Sequence, residues 1–500
     1  MRTLGPILLA LLFVAGCSDA PPDNSIDETS SGAVAFTIDK ASAPTAVQTV
    51  TATLTRIGHS PVSKSINIIS DTTTSIFFQD IAVGTWHVRV DATDALGVLL
   101  YTGEADVPVQ ENSMAVVNLV LTPVSSGVGS VKINVTWGGS AMAFPKSYGG
   151  SGRDLAMCLT ESGDGGYLIG GLSYSAGSGG DAWVVKVDAK GGILWNKNFG
   201  TSGEDRFNDI VRTPDGGVLC AGYCYGDGED SWIVKLDSLG NKEWEKKYGG
   251  GGADAFLKIK RAADESYMLC GYYQNENFFE GRVAKVTPNG TLVWSKTYGG
   301  AGGDFAMNIL PLSDGNSIVI GNNGSIPNKS YDFWVFKISA SGDTLWQKNF
   351  GGSNDDRTAG IAALPEGGFV ITGYTTSFGN GNMDSWFMRL SADGEMVWNK
   401  VYGGAGSEYL LNVERTAAGD FIAAGYTGSF GLSKQGWMVK FDAVGTIQWS
   451  KTYGGAKDES ISEHILLADG TIAFAGWTQP PQSNNEDYWF GITAADGSLK

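Results

Sequence analysis

The sequence predicts an all-β chain: a seven-bladed β-propeller with four strands per blade, preceded by a small β-sandwich. Three observations carry this prediction. A unit of about fifty residues, typified by DSWFMRLSADGEMVWNKVYGG at 384–404, returns until the C-terminus, and such a period with paired tryptophans and glycine turns marks propellers and solenoids. Each unit holds four strand-like runs separated by turns, the strand count of a propeller blade. Seventy-one glycines without a collagen period, beside fifteen tryptophans, require short strands joined by tight turns. The formal net charge of −18 leaves no basic stripe to displace counterions from phosphate, so nucleic acid is excluded as a partner.

Residues 1–16, MRTLGPILLALLFVAG, set one arginine before an apolar run and small residues. This is an export signal, too short to span a bilayer comfortably. Its end, Val14-Ala15-Gly16-Cys17, resembles the bacterial lipobox. That resemblance implies cleavage before Cys17, acylation of its thiol and, because Ser18 follows and not aspartate, an outer-membrane address, either periplasmic or surface-exposed. Residues 17–31 are polar, acidic and proline-containing, too poor in apolar groups to fold, and act as a lipidated tether. No second apolar run of spanning length follows, so the mature chain is expected to be held by acyl chains alone.

Across residues 32–137 short Val-, Ile- and Thr-rich runs alternate with turn residues. Seven or eight such strands in about a hundred residues predict a β-sandwich. The pattern resembles immunoglobulin-like or transthyretin-like domains of secreted bacterial proteins, without the cysteine pair of true immunoglobulin domains. His59 and His87 fall here as surface or packing residues.

Residues 141–500 carry the repeat, registered on the aromatic of a YGG motif at Tyr148, Phe199, Tyr248, Tyr298, Phe350, Tyr402 and Tyr453. A first tryptophan occupies the third strand of each unit (Trp183, Trp232, Trp334, Trp386, Trp437, Trp489) and a second the fourth (Trp195, Trp244, Trp294, Trp346, Trp398, Trp449), with Arg282 replacing the first in unit three. Rings this large in repeating slots are expected between neighbouring blades. The segment AFPKS at 143–147 matches the W-x-K strand, with Phe144 in the tryptophan slot and Lys146 in the lysine slot, yet precedes the first YGG. It is predicted to complete the last blade and so close the ring, with 497–500 as the competitor for that place. The runs YGGSGRD, DGGYLIGG and DAWVVKVDAKGGILWNKNFG resemble the bacterial secreted β-propeller repeats of surface lipoproteins and large exported proteins. The resemblance implies the fold and an envelope setting but no particular activity, and many members also end in a secretion-sorting domain with no counterpart here, which favours the lipoprotein route.

In a propeller the strand 1–2 and 3–4 turns share one face, here tight DGG- and DSLG-type turns. The opposite face carries YGGxGxD and the long loop between strands two and three, which differs in every unit and is the natural place for a ligand. An acid lies six positions after each motif aromatic: Asp154, Asp205, Asp254, Asp304, Asp356, Glu408 and Glu459. A second lies two before the first tryptophan slot in most units: Asp181, Asp230, Glu280, Asp332, Asp384 and Asp487. These aspartates are the candidate ligand face. Their oxygens suit calcium, a candidate cofactor, or backbone N–H groups in Asx-turns; lacking D-x-D-x-D-G density, the turn role is favoured and no metal site is assigned.

A further ring ten positions after each aromatic (Cys158, Asp209, Lys258, Asn308, Gly360, Asn412, Glu463) is expected to line a water-filled channel. His464 beside it has no second histidine for zinc, and Cys158, Cys220, Cys224 and Cys270, scattered on strands, are expected to be buried thiols. No catalytic residue is assigned. The expectation is a lipid-anchored, non-catalytic binding module of the envelope whose partner is an envelope protein or extracellular glycan. The alternatives are a propeller enzyme acting on extracellular carbohydrate and a structural surface spacer.

Overall fold

The computed structural model describes residues 8–10, 31–38, 48–67, 74–82, 84–109, 114–116, 119–120, 122–123, 144–175, 179–226, 228–250, 252–325, 330–431, 433–480 and 485–500. Cys17, the tether residues 18–30 and the run SVKINVTW lie outside them. The chain forms two units, a sandwich and a propeller, described in turn.

Two five-stranded sheets make the sandwich. One orders Thr122–Pro123, Leu99–Val109, Gly84–Thr93, Thr49–Thr55 and Val62–Asn67. Its strands alternate as a half-buried sheet must: Val50, Ala52, Leu54, Trp86, Val88, Val90 and Ala92 are buried, while His87 and Arg89 point outward. The other sheet orders Thr74–Ala82, Ser31–Ile38, Leu8–Ala10 and Leu119–Val120, with Met114–Val116 beside Ser31–Ile38. His87 Nδ1 lies 2.9 Å from Asp106 and the His59 ring 5.2 Å from that of Trp86, a surface role and a packing role.

Seven four-stranded antiparallel sheets form the blades. Blade 1 orders Asp154–Glu161, Tyr167–Ser173, Asp181–Val187 and Ile193–Phe199. Blades 2 to 6 repeat the order over 206–248, 254–298, 304–350, 356–402 and 408–453, and blade 7 takes three strands from 459–493. Its fourth strand is Lys146–Tyr148, antiparallel to Asp487–Thr493 with Ser147 opposite Trp489. Since Thr297 stands opposite Arg282 and Asn349 opposite Trp334, always three residues past the second tryptophan slot, Phe144 sits in that slot as expected. The competitor 497–500 turns back instead, with Leu499 bridged to Thr493.

The repeated residues explain one another. The first-slot indoles of blades 2 and 4 to 7 are under 5% exposed and lie against aromatic rings of their own or the adjoining blade: Trp386 against Phe333 at 4.6 Å, Trp437 against Tyr402 at 5.7 Å. In blades 4 to 6 their N–H groups are accepted by the residue after the second tryptophan, Gln347 for Trp334, Asn399 for Trp386 and Ser450 for Trp437, whereas the Trp232 N–H of blade 2 is buried without a partner. In blade 3 Arg282 keeps the slot filled, lying over Phe256 and donating to Ser295 and to the Tyr248 carbonyl. The second tryptophan and the YGG aromatic clamp the next blade's strand 3–4 turn. Trp244 packs where a Cβ on Gly290 would be, while Tyr248 Oη donates to the Gly290 carbonyl at 2.5 Å. Gly290 has φ +75°, so glycine is required there twice over. Blade 6 applies the same clamp to Gly497 through Trp449 and Tyr453, which fixes the C-terminal segment as a turn and leaves the closing place to Lys146–Tyr148.

Candidate functional site

The first carboxylate set stands at the start of each inner strand and is almost fully buried. Each member accepts the backbone N–H four residues upstream, in the YGG loop, and most also accept from the start of their own strand 2–3 loop. Asp304 accepts Gly300 N (2.7 Å), Gly324 N (3.0 Å) and Ser325 Oγ (2.6 Å). Asp205 accepts Thr201 N and Tyr225 N, Asp254 accepts Gly250 N and Gln274 N, and Asp356 accepts Gly352 N with the hydroxyls of Thr375 and Ser377. Glu408 and Glu459, one carbon longer, reach the same partners through Gly404 N and Gly455 N. These carboxylates clasp two loops together, the Asx-type geometry of a scaffold.

The second set meets the first across the blade junctions, on either side of the first glycine of YGG. A Cβ at Gly149 would run into both Asp487 and Asp154; at Gly200 into Asp205 and Asp181; at Gly249 into Asp230 and Asp254; at Gly351 into Asp332 and Asp356; at Gly403 into Asp384 and Glu408. At the blade 6 to 7 junction Gln435 takes the place of the second acid, and its amide donates to Glu459 Oε2 at 3.0 Å. Among the described residues no group of three or more His, Cys, Asp or Glu side chains is gathered for a metal. Burial raises the Asp181 and Asp254 carboxyls, and at the ring-closing junction burial together with the charge of Asp154 pushes Asp487 up to about 6. There Asp154 Oδ1 and Asp487 Oδ1 are both buried without a hydrogen-bond partner.

What the loop face presents instead is aromatic. Tyr223, Tyr272, Tyr374, Tyr426 and Trp477 recur at the loop-side end of the second strands, each after a glycine whose Cβ would strike the inner-strand backbone. With rings from the inner strands they form a belt. Tyr272 contacts Phe305 at 5.6 Å, Phe305 contacts Tyr331 at 6.1 Å, and Tyr409 stands 4.8 Å from Tyr374 and 6.1 Å from Tyr426. Cations lie over the rings: Arg206 over Tyr223, Arg357 over Tyr331 at 4.1 Å, and Lys434 over Tyr426 and Trp477. Glu204 accepts the hydroxyls of Tyr174 and Tyr223, and Glu229 that of Tyr272. Farther out Tyr174, Tyr225, Phe278, Phe378 and Phe430 stand exposed. Sequence reasoning passed over this belt, although the repeated Gly-Tyr and Gly-Trp pairs were its visible signal.

The expected channel ring is inward but not open. Lys258 of blade 3 reaches across the axis to Glu463 of blade 7 at 2.5 Å, with Asp209 at 3.9 Å, and Asn412 donates to Glu463. Asp209 also accepts Ile259 N, and Asn308 donates to the Ala359 carbonyl, so these polar groups stitch neighbouring inner strands. Desolvation explains why they pair so closely. His464 is fully buried and held down at about 4, hence neutral. Cys158, Cys220, Cys224 and Cys270 are free and buried.

No family model matches the chain, and no curated protein matches it. Solved structures similar to it include the WD40 domain of Neurospora crassa Pan2 (10% identity, 68% of this chain and 89% of that one, TM-score 0.45). Others are the polysaccharide lyase Uly1 (11%, 75% and 94%, 0.44) and the β-propeller domain of the Trilobed protease from Pyrococcus furiosus (10%, 70% and 95%, 0.37). By its own seven four-stranded sheets and its exchanged closing strand, the chain is a seven-bladed β-propeller behind a small β-sandwich.

Proposed function

We propose that this is a lipid-anchored, non-catalytic binding module of the cell envelope. Cys17 carries the acyl anchor once residues 1–16 are removed, and the Leu8–Ala10 strand of the second sheet leaves with them; the rest of the sandwich serves as an immunoglobulin- or transthyretin-like spacer, and the propeller, of the secreted bacterial repeat type, takes its ligand on the loop face. One observation supports this above the others: the repeated carboxylates of that face are occupied in clasping loops, while Tyr174, Tyr225, Phe278, Phe378 and Phe430 stand exposed on it. Among the described residues no helix is long and apolar enough to cross a membrane. Two measurements test the reading. Cys17→Ala should abolish incorporation of a labelled fatty acid and release the protein from the membrane fraction. Fluorescent mature protein lacking Cys17 should bind intact cells or isolated envelopes saturably; absence of saturable binding removes the module reading.

A propeller enzyme acting on extracellular carbohydrate is the second reading, favoured by Glu414. Burial and the neighbouring Glu463 push its carboxyl up to about 7, the range of a general acid. Turnover of a polysaccharide that falls at least tenfold in Glu414→Gln would select this reading.

A further inference from the structure

The net charge of the chain is gathered on one face of the propeller, and mostly on one half of it. Two kinds of connection build the loop face: from each YGG aromatic to the residue after the first acid, and from the end of strand two to the second-acid position. Together they hold twenty acids against six bases, fourteen of the chain's eighteen net negative charges. Those of blades 7, 1, 2 and 3, which adjoin around the ring, hold fourteen of the acids and three of the bases. Those of blades 4, 5 and 6 hold six and three. The acids of the first half crowd one another. Asp181, Glu229, Asp254, Glu459 and Asp487 all have raised carboxyls, by burial first and then by a neighbouring acid. At the closing junction Asp154 is wholly buried, and its Oδ1, like that of Asp487, meets no donor among the described residues. Donors are what this half lacks.

Aromatic rings stand among these acids. Tyr174, Tyr225 and Phe278 are exposed in blades 1, 2 and 3, Tyr174 donates to Glu204, and Tyr272 donates to Glu229 at 2.6 Å. Phe378 and Phe430, in the other half, pack on Trp386 and Trp437 at 5.5 and 5.8 Å. Rings beside carboxylates hold cations, and one instance is built in: Arg206 lies 5.1 Å from the Tyr223 ring, within the charge of Glu204 and Glu229. A negative field of this kind repels anionic polymers and anionic bilayers. Its acids are spread over eight separate connections, so a single amine meets few of them. A chain bearing several cations meets many at once and lays its aliphatic stems on the rings.

We infer that the loop face over blades 7, 1, 2 and 3 docks a lysine- or arginine-rich segment of a partner protein. This rests on the binding-module reading and names its partner.

Fluorescence anisotropy of a labelled dodecapeptide of lysine, arginine and glycine, titrated with the mature protein, tests it. Binding should saturate and weaken at least about tenfold between low and moderate salt. Glu204→Gln, Glu229→Gln and Glu276→Gln together should weaken it by roughly tenfold or more. Glu276→Lys, a charge reversal at one exposed loop residue, should weaken it by roughly threefold or more with the melting temperature unchanged. Glu161→Gln, Glu265→Gln and Asp393→Asn together, three exposed acids of the opposite face, should leave it within about twofold. The peptide should also displace the protein from isolated envelopes. Failure to bind the peptide, equal losses in the two triple variants, or spermine binding as tightly at equal charge overturns the inference. Saturable envelope binding that the peptide does not displace overturns it while leaving the module reading intact. No binding to envelopes or to the peptide ends both.

Discussion

Replacing Asp487 by asparagine should stabilise the propeller at neutral pH. At the ring-closing junction Asp487 and Asp154 face each other across Gly149, each with a buried Oδ1 lacking a partner, beside the Arg153–Glu486 ion pair. The Asp487 carboxyl is raised from its usual 3.8 to about 6, by burial first and by Asp154 second. A carboxyl whose folded pKa lies above its unfolded one binds its proton more tightly when folded. It therefore costs stability fully above pH 6, and the cost disappears as pH falls toward 4. Two pH units correspond to about 3 kcal/mol. Asp487 is only half-buried, and solvent screening reduces this to roughly 1–2 kcal/mol. An asparagine removes the charge and offers an N–H to Asp154, as Gln435 does for Glu459 one junction earlier. Calorimetry should therefore show Asp487→Asn melting roughly 2–5 °C above wild type at pH 7.5 and level with it at pH 4. A variant that melts lower than wild type at pH 7.5, or by the same margin at both pH values, would refute the reasoning.

Three other outcomes are expected. Lys258→Met leaves Glu463 buried without its cation, while Asp209 keeps Lys260 at 3.8 Å, and should cost about 3–5 kcal/mol in urea unfolding; Lys258→Met combined with Glu463→Leu should recover much of that loss. Calcium followed by chelator should leave the melting temperature unchanged, because the first carboxylate set already accepts protein hydrogen bonds; a calcium-dependent rise of several degrees would give those aspartates a cation. Cys158, Cys220 and Cys270, whose thiols burial raises, should react with a thiol reagent only after unfolding, and Cys224, raised to about 11, should also resist modification in the folded chain at pH 8.

The architecture was legible because its determinants are local and repeated. A tryptophan before a lysine, an aromatic before two glycines and a glycine in the strand 3–4 turn recur at one spacing because each blade clamps the turn of the next, as Trp244 and Tyr248 clamp Gly290. The exchanged closing strand followed from the same register, since Phe144 and Lys146 reproduce a fourth strand lacking its first three.

The candidate site was legible only in part, for the opposite reason. Asp154 and Asp487 stand out in the sequence as members of two series, yet their closeness depends on the ring joining residues 333 positions apart. The Lys258–Glu463 pair, 205 residues apart, likewise exists only because inner strands of nonadjacent blades converge on one axis. The carboxylates repeated in every unit proved to be occupied in holding each blade to the next. What departs from the repeat is therefore where recognition is to be sought, and the exposed rings depart from it: among the described residues blades 4 and 7 carry none, Tyr174 and Tyr225 share one place in their loops, Phe378 and Phe430 share a second, and Phe278 takes a third. A ligand that lies across several blades without sevenfold symmetry requires that kind of irregularity, because a uniform ring of rings would offer seven equivalent places and favour none.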